Sequence, residues 1–259
     1  MIKKGFFMKK ILFMLLSIVL IHTSIAVAAP SSVPYNWGFK RGTNEQQADA
    51  GVNYNQILSK YHAIYKGNPT DKVLYLTFDN GYENGCTNKV LDVLKKTDVP
   101  ATFFVTGHYL KSAPDLVKRM VQEGHIIGNH SWGHANFAVS SNQKIKNELE
   151  KVKSKTFELT GQKKMKYMRT PRGTFNEKVL NYTKSLGYQN VFWSVAYVDW
   201  ITGQQKGPDF AYNAIMTQIH PGAIILLHSV SKDNADILEK VITDAKNKGY
   251  CFKSLNEFK

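Results

Sequence analysis

Along this chain, short apolar runs alternate with longer stretches in which apolar residues recur every three or four positions. The first pattern marks buried strands and the second amphipathic helices. Strands are expected at Val73 to Phe78, Ala101 to Thr106, His125 to Gly128, Tyr167 to Arg169, Asn190 to Ala196, Ala223 to His228 and Tyr250 to Phe252. Helices are expected between them, at Asn88 to Lys96, Ala113 to Glu123, Asn142 to Leu159, Asn176 to Leu186, Phe210 to Ile219 and Asn234 to Lys248. In "QEGH", "KSLGY" and "KNKGY" a glycine closes the helical pattern just before the next strand, a common C-terminal stop. Upstream, residues 29–71 are polar, and Tyr54, Ile57, Leu58, Tyr61 and Ile64-Tyr65 suggest one amphipathic helix there.

Strands joined by helices must run parallel, because each helix is a crossover. An open doubly wound sheet and a barrel both satisfy this. No glycine-rich phosphate loop follows the first strand, which weakens the nucleotide-binding form of the open sheet. The expected fold is therefore α/β, an incomplete or distorted (β/α) barrel of about seven parallel strands. One such domain fits a chain of 259 residues with 43% hydrophobic content.

The amino terminus changes the picture of where that domain works. Residues 1–10 carry four lysines and no acid, residues 11–21 are apolar apart from Ser17, and a small-residue pattern ends at Ala28. This is the layout of a secretory signal peptide, with an apolar run too short for a comfortable membrane span; a retained anchor is the alternative. The organisation expected is a signal peptide at 1–28, an N-terminal extension at 29–71 and the main domain at 72–259. Removing the four lysines lowers the formal charge from +14 to +10. A basic exported protein with no nucleic-acid module suits an anionic cell-wall polymer or membrane surface better than nucleic acid. Two cysteines, Cys86 and Cys251, make no disulfide framework and are read as unpaired.

In either parallel architecture functional groups collect at the carboxyl ends of strands. The first strand ends in Asp79-Asn80, the third in "NHSWGH", the fourth in "RTPRG", the fifth leads to Asp199-Trp200, and the sixth ends in "LLHS". His130 and His134, four apart around a glycine, can aim two ring nitrogens at one divalent ion; Asp79 or Asn80 offers a third ligand. A carboxylate left free beside the ion would act as base for its water, and His228, paired with an acid such as Asp199, suits proton donation. Taken singly, Asp79-Asn80-Gly81 makes an ordinary turn, Arg169 half of a structural ion pair, and His228 a core histidine. Five coincidences at one end of one sheet are what that blander account requires. His108, at the end of the second strand, is a reserve candidate, whereas His62 and His220 lie off the rim and read as structural.

"TFDNG", "HSWGH", "RTPRG", "WSVAYVDW" and "ILLHS", in this order, resemble the five motifs of the polysaccharide deacetylases related to the rhizobial Nod-factor deacetylase, over about Lys72 to Phe252. "NWGFKR" at Asn36 to Arg41, "LTFDNGYENG" and "RTPRG" are further similar to the peptidoglycan N-acetylmuramic acid deacetylases that lead to muramic δ-lactam in spore cortex. The resemblance implies hydrolysis of an N-acetyl group from an amino sugar on peptidoglycan glycan strands, with a divalent metal, zinc above others; no protein partner is implied, and a monomer is expected. It implies Asp79 as general base, Asn80, His130 and His134 as metal ligands, Arg169 holding the base, Asp199 tuning the acid, and His228 as that acid. Trp200 and Leu226 would line the acetyl pocket. Three positions depart from the family pattern: Asn80 for an aspartate, Ala196 for an aspartate, and Arg172 for a tyrosine whose backbone N–H helps hold the oxyanion. Arg172 suggests selection of the free lactyl carboxylate of peptide-free muramic acid, since a guanidinium binds carboxylate in bidentate fashion. A chitin-type N-acetylglucosamine deacetylase and a non-catalytic glycan-binding relative are the alternatives.

Overall fold

The protein is seen here in a computed structural model that describes residues 29–258. The expected signal peptide, 1–28, lies outside the described residues, and among them no helix is long and apolar enough to cross a membrane. The chain order is β1 (Tyr35–Asn36), α1 (Gly51–Lys60), β2 (Val73–Asn80), α2 (Thr87–Thr97), β3 (Ala101–Val105), α3 (Gly107–Ser112), α4 (Pro114–Gln122) and β4 (Ile126–Asn129). It continues with α5 (Asn142–Thr160), β5 (Tyr167–Met168), β6 (Thr174–Phe175), α6 (Glu177–Ser185), β7 (Gln189–Asn190), α7 (Pro208–Met216), β8 (Ala223–His228), α8 (Lys232–Asn247) and β9 (Cys251–Phe252).

The helices start and stop for local reasons. Ser141, Asn176 and Ser231 each accept a backbone N–H of the first turn of α5, α6 and α8, and Pro114 and Pro208 open α4 and α7. Gly161 ends α5 in the left-handed conformation. The helix α3, unforeseen from the sequence, is a short piece nucleated by Thr106, whose hydroxyl accepts from the Tyr109 N–H.

The main sheet runs β7-β5-β4-β3-β2-β8, all parallel, with β9 beside the start of β2. It closes into a distorted barrel through the segment expected as a single strand at 190–196, which is split in two. Its start pairs with β5, whereas Val195 pairs with Ile225 of β8, and Leu226 N–H donates to the Val195 carbonyl at 2.9 Å. At the other end of the gap, Ile64 pairs with Val191 and Lys66 with Ala223. Ile64 and Tyr65 are thus not the end of the expected helix. That helix stops at Lys60, His62 turns the chain at φ 55°, and the backbone polar groups of this stretch are taken up by the barrel.

Alternation along each strand sorts the core into two layers. Val73, Tyr75, Phe104, Tyr167 and Ile224 fill the lumen, while Leu74, Leu76, Phe78, Phe103 and Leu227 pack outward against the helices. Phe78 and Phe103 stack there at 5.1 Å; truncating either to Ala would cost about 3–5 kcal/mol. The N-terminal extension packs an aromatic cluster of Trp37, Tyr54, Tyr61 and Tyr65 against Phe175 and Phe192. It also adds β1 antiparallel to β6. Cys86 and Cys251 are both free thiols.

Candidate active site

The ladder itself brings the first two groups together. Parallel pairing in register sets Asp79, near the end of β2, opposite His228, the last residue of β8. Both share the lumen parity of Tyr75 and Thr77, so both side chains belong to the barrel mouth. Asp79 accepts from Arg169 Nη1 at 2.7 Å. Arg169 is fully buried and uses its other donors on Thr77 Oγ1 at 2.9 Å and the Val191 carbonyl at 2.9 Å, while its guanidinium lies 4.3 Å from the Phe104 ring centre. Burial alone would push the Asp79 carboxyl up, but Arg169, with His130 and His228 behind it, more than offsets this and holds it below the ordinary range. Asp79 is therefore a committed anion. Thr77, which sequence reasoning passed over, stands two residues before Asp79 and so on the same face; alternation was the signal that could have found it.

His130 and His134 sit in the loop after β4, not on a helix. Ser131 and His134 both adopt left-handed backbone, φ 62° and 52°, and that turn folds the two rings to within 5.0 Å of each other. Asn129 Oδ1 accepts the Ser131 N–H, and Glu148 of α5 accepts the Gly133 N–H at 2.6 Å. His130 Nδ1 meets the Arg169 carbonyl at 2.9 Å, so this nitrogen carries the proton and Nε2 the lone pair. Burial lowers the pKa of His130, and burial with the nearby His130 lowers that of His134 to about 4. Both rings are neutral at pH 7.

The opposite wall is built from Asp199. Its Oδ1 meets His228 Nδ1 at 2.7 Å, while Oδ2 accepts the His228 N–H at 2.8 Å and Asn234 Nδ2 at 2.5 Å. Gln205 holds the Asp199 carbonyl. Asn234 and Gln205 come from α8 and the loop before α7, and nothing in the sequence marked them. Burial would lower the His228 pKa, but the Asp199 charge and hydrogen bond, with Asp79 beyond, raise it above the ordinary imidazole value. Trp200 lies beside this histidine, ring centres 5.4 Å apart.

Asp79, His130, His134, Trp200 and His228 line a cleft with two lobes. One, of ≈ 580 Å³, extends past Tyr82, Thr106, His108 and Trp132. The other, of ≈ 470 Å³, extends past Arg172, Gly173, Trp193 and Leu226. Arg172 is exposed and, among the described residues, its guanidinium makes no ion pair or hydrogen bond. Its backbone is left-handed at φ 61°, a conformation that costs a non-glycine residue roughly 1–2 kcal/mol. The structure thus gathers Asp79, His130, His134, Arg169, Arg172, Asp199, Trp200, Leu226 and His228, with the reserve residue His108 at the edge. His220 is buried off the rim and His62 is exposed.

Asn80 is placed differently. One residue after Asp79, it has the outward parity of Phe78 and is fully buried. Its Nδ2 donates to Ser229 Oγ at 2.6 Å, and Thr87 and Glu83 continue that chain of hydrogen bonds. Its Oδ1 has no hydrogen-bond partner. Among the described residues no group of three or more His, Cys, Asp or Glu is arranged to hold a metal ion. The donor set nevertheless fits a divalent ion weakly. Two neutral imidazoles are available and His130 Nε2 faces Asp79 Oδ2 at 3.5 Å, two acceptors that a cation would reconcile; Asn80 is absent from the cleft lining, and its buried, unpartnered oxygen at the end of β2 is the neutral donor left over beside Asp79.

Comparison with known proteins identifies the family. A family model for polysaccharide deacetylases matches residues 66–191. The chain is 54% identical over 232 residues to the peptidoglycan-N-acetylmuramic acid deacetylase PdaA of Bacillus subtilis, across 90% of this chain and 88% of that one. The solved structure of B. subtilis PdaA, a family 4 carbohydrate esterase, matches with a TM-score of 0.86 over 88% of this chain and 97% of its own. A family 4 carbohydrate esterase from Bacillus anthracis, 48% identical, matches with a TM-score of 0.76 over 89% and 98%. An uncharacterised 30.6 kDa protein of Geobacillus stearothermophilus is 58% identical over 234 residues, 90% of this chain and 88% of that one. This chain belongs to the polysaccharide deacetylases, the family 4 carbohydrate esterases.

Proposed function

We propose that this protein is an exported hydrolase that removes the N-acetyl group from peptidoglycan, acting on N-acetylmuramic acid residues without stem peptide as a step toward muramic δ-lactam in spore cortex. The observation that carries this is the opposition across one cleft of Asp79, a carboxylate whose pKa Arg169 holds below its ordinary range, and His228, an imidazole whose pKa Asp199 raises above its ordinary value, beside the unpaired Arg172. Groups whose pKa values are pushed apart in this way make a base and an acid for one reaction.

In this mechanism Asp79 takes a proton from the attacking water, and Arg169 keeps the carboxylate aimed and charged. His130, His134 and the Asn80 amide oxygen would hold a divalent ion, taken as zinc, which supplies Lewis acidity that makes water a nucleophile near neutral pH and polarises the acetyl carbonyl. The amide at position 80 leaves more of the ion's charge uncompensated than a carboxylate would, so the ion is held weakly. The backbone N–H of Arg172 faces the developing oxyanion, Trp200 and Leu226 bound the acetyl methyl, and His228 protonates the departing amine. Acetate and a free amine result.

The Arg172 guanidinium pairs with the lactyl carboxylate that distinguishes muramic acid from glucosamine. Replacing it, Arg172→Ala, is expected to lower kcat/KM on peptide-free muramic glycan roughly 10–100-fold, the worth of charged hydrogen bonds, with a much smaller loss on chitin oligomers. The decisive assay is acetate release from both glycans, with and without chelator. Equal rates on chitin would favour the glucosamine-type reading, and no release from either would favour a glycan-binding relative.

A further inference from the structure

Resting on that reading of Arg172, we infer that Trp37 is a positioning residue for the specificity turn Arg172-Gly173, so that the N-terminal extension sets which sugar the site accepts. The turn is not held by the barrel alone. Immediately after it the chain enters β6, whose partner is β1 of the extension, Tyr35 against Phe175 and Asn36 against Thr174. The next residue, Trp37, donates its backbone N–H to the Gly173 carbonyl at 2.9 Å. Its indole Nε1 donates to the Trp193 carbonyl at 3.0 Å, and its ring packs on Phe192 at 4.7 Å between centres.

Space around Gly173 shows how close this grip is. A Cβ there would stand 3.0 Å from Trp37 Cβ and 2.9 Å from Trp193 Cη2, so the two tryptophans bear on the turn together. Gly173 has φ 65° and Arg172 φ 61°, two successive left-handed residues, one of them an arginine. Such a conformation persists only where its surroundings over-determine it. Trp37 supplies a hydrogen bond to the turn, a wall against it and, through Trp193, a link to the lobe that Arg172 lines. The same Trp193 ring lies 5.4 Å from the Arg169 guanidinium, tying the clamp to the base as well. The motif that contains Trp37, "NWGFKR", lies well before the first barrel strand and contributes no residue to the cleft lining described above. Its reach into the reaction is through the turn.

The test compares Trp37→Ala, Trp37→Leu and Trp37→Phe with Arg172→Ala. Two quantities are read: the ratio of kcat/KM on peptide-free muramic glycan to that on chitin oligomers, and the difference in Kd between N-acetylmuramic acid and N-acetylglucosamine. Trp37→Ala keeps the main-chain bond and the Cβ against Gly173 but removes the indole that ties this segment to Trp193 and Phe192. With that anchor gone the turn should loosen, lowering the ratio about tenfold and shrinking the Kd difference, since small misplacements from remote positions carry penalties of this size. Trp37→Phe, which keeps a ring on Phe192, should restore most of both. Trp37→Leu is read if Trp37→Ala fails to fold, because it retains apolar volume beneath the turn. A selective loss in Arg172→Ala with unchanged selectivity in the folded Trp37 variants overturns the role of Trp37 alone. Equal losses on both glycans in Arg172→Ala overturn the carboxylate reading on which it rests.

Discussion

The two walls of the cleft each pair a buried carboxylate with a basic group, and they differ in one respect: the Asp79 partner, Arg169, never gives up its proton, whereas the Asp199 partner, His228, is an imidazole that can. A permanent cation makes Asp79 a permanent acceptor, and a titratable one makes the Asp199 pair a proton source. The surroundings match these roles. Arg169 is sealed from solvent and satisfied by Thr77, Val191 and two aromatic rings, while His228 keeps partial exposure at the cleft beside Trp200. Similar ion pairs thus suit the opposite tasks proposed for them, through the chemistry of the basic partner.

The contrast breaks first at Asp79. Asp79→Asn removes the proposed base and should lower acetate release about 10²–10⁴-fold, and retained activity would mean that another group takes the proton. Arg169→Leu is expected next, because it leaves the Asp79 charge buried and unpaired: urea unfolding should show a loss of about 3–5 kcal/mol. Asp199→Asn should cost less, since His228 can shed its charge; equal losses would erase the distinction between the walls.

A subtler change is expected in the pH profile. In the proposed role His228 must be protonated to act, and its folded pKa lies above the ordinary value, so activity should be lost as pH rises through that raised pKa. In Asp199→Asn the alkaline limb of kcat/KM should move to lower pH while the acid limb stays. The stabilising effect of the pair is fully present below the unfolded pKa of about 6.5 and disappears as pH climbs through the folded one, so the stability cost of Asp199→Asn should be largest in acid. Smallest is Asn80→Asp, which should raise zinc affinity measured by titration calorimetry; unchanged affinity would remove residue 80 from the ion's surroundings.

Much of this was legible in the chain. Short apolar runs with polar residues at their carboxyl ends located the rim, because a parallel strand must be apolar along its buried length and can carry chemistry only where it emerges, its side chains alternating inward and outward. The same alternation sets Asp79 inward and Asn80 outward, which adjacency in "DNG" concealed. Less visible were Asn234 and Gln205, polar residues on solvent-rich segments whose hold on Asp199 depends on how α8 and the loop before α7 fold over the rim.

Sequence alone determined the alternation of strands and helices, the identity of the rim residues and the family, since each rests on local periodicity or on short motifs. Tertiary structure decided how the barrel closes, by splitting 190–196 between β5 and β8, because strand pairing between distant segments leaves no local mark. It also decided that a tryptophan from a polar N-terminal extension bears on the turn of Arg172, a contact between residues over a hundred positions apart that only packing could create.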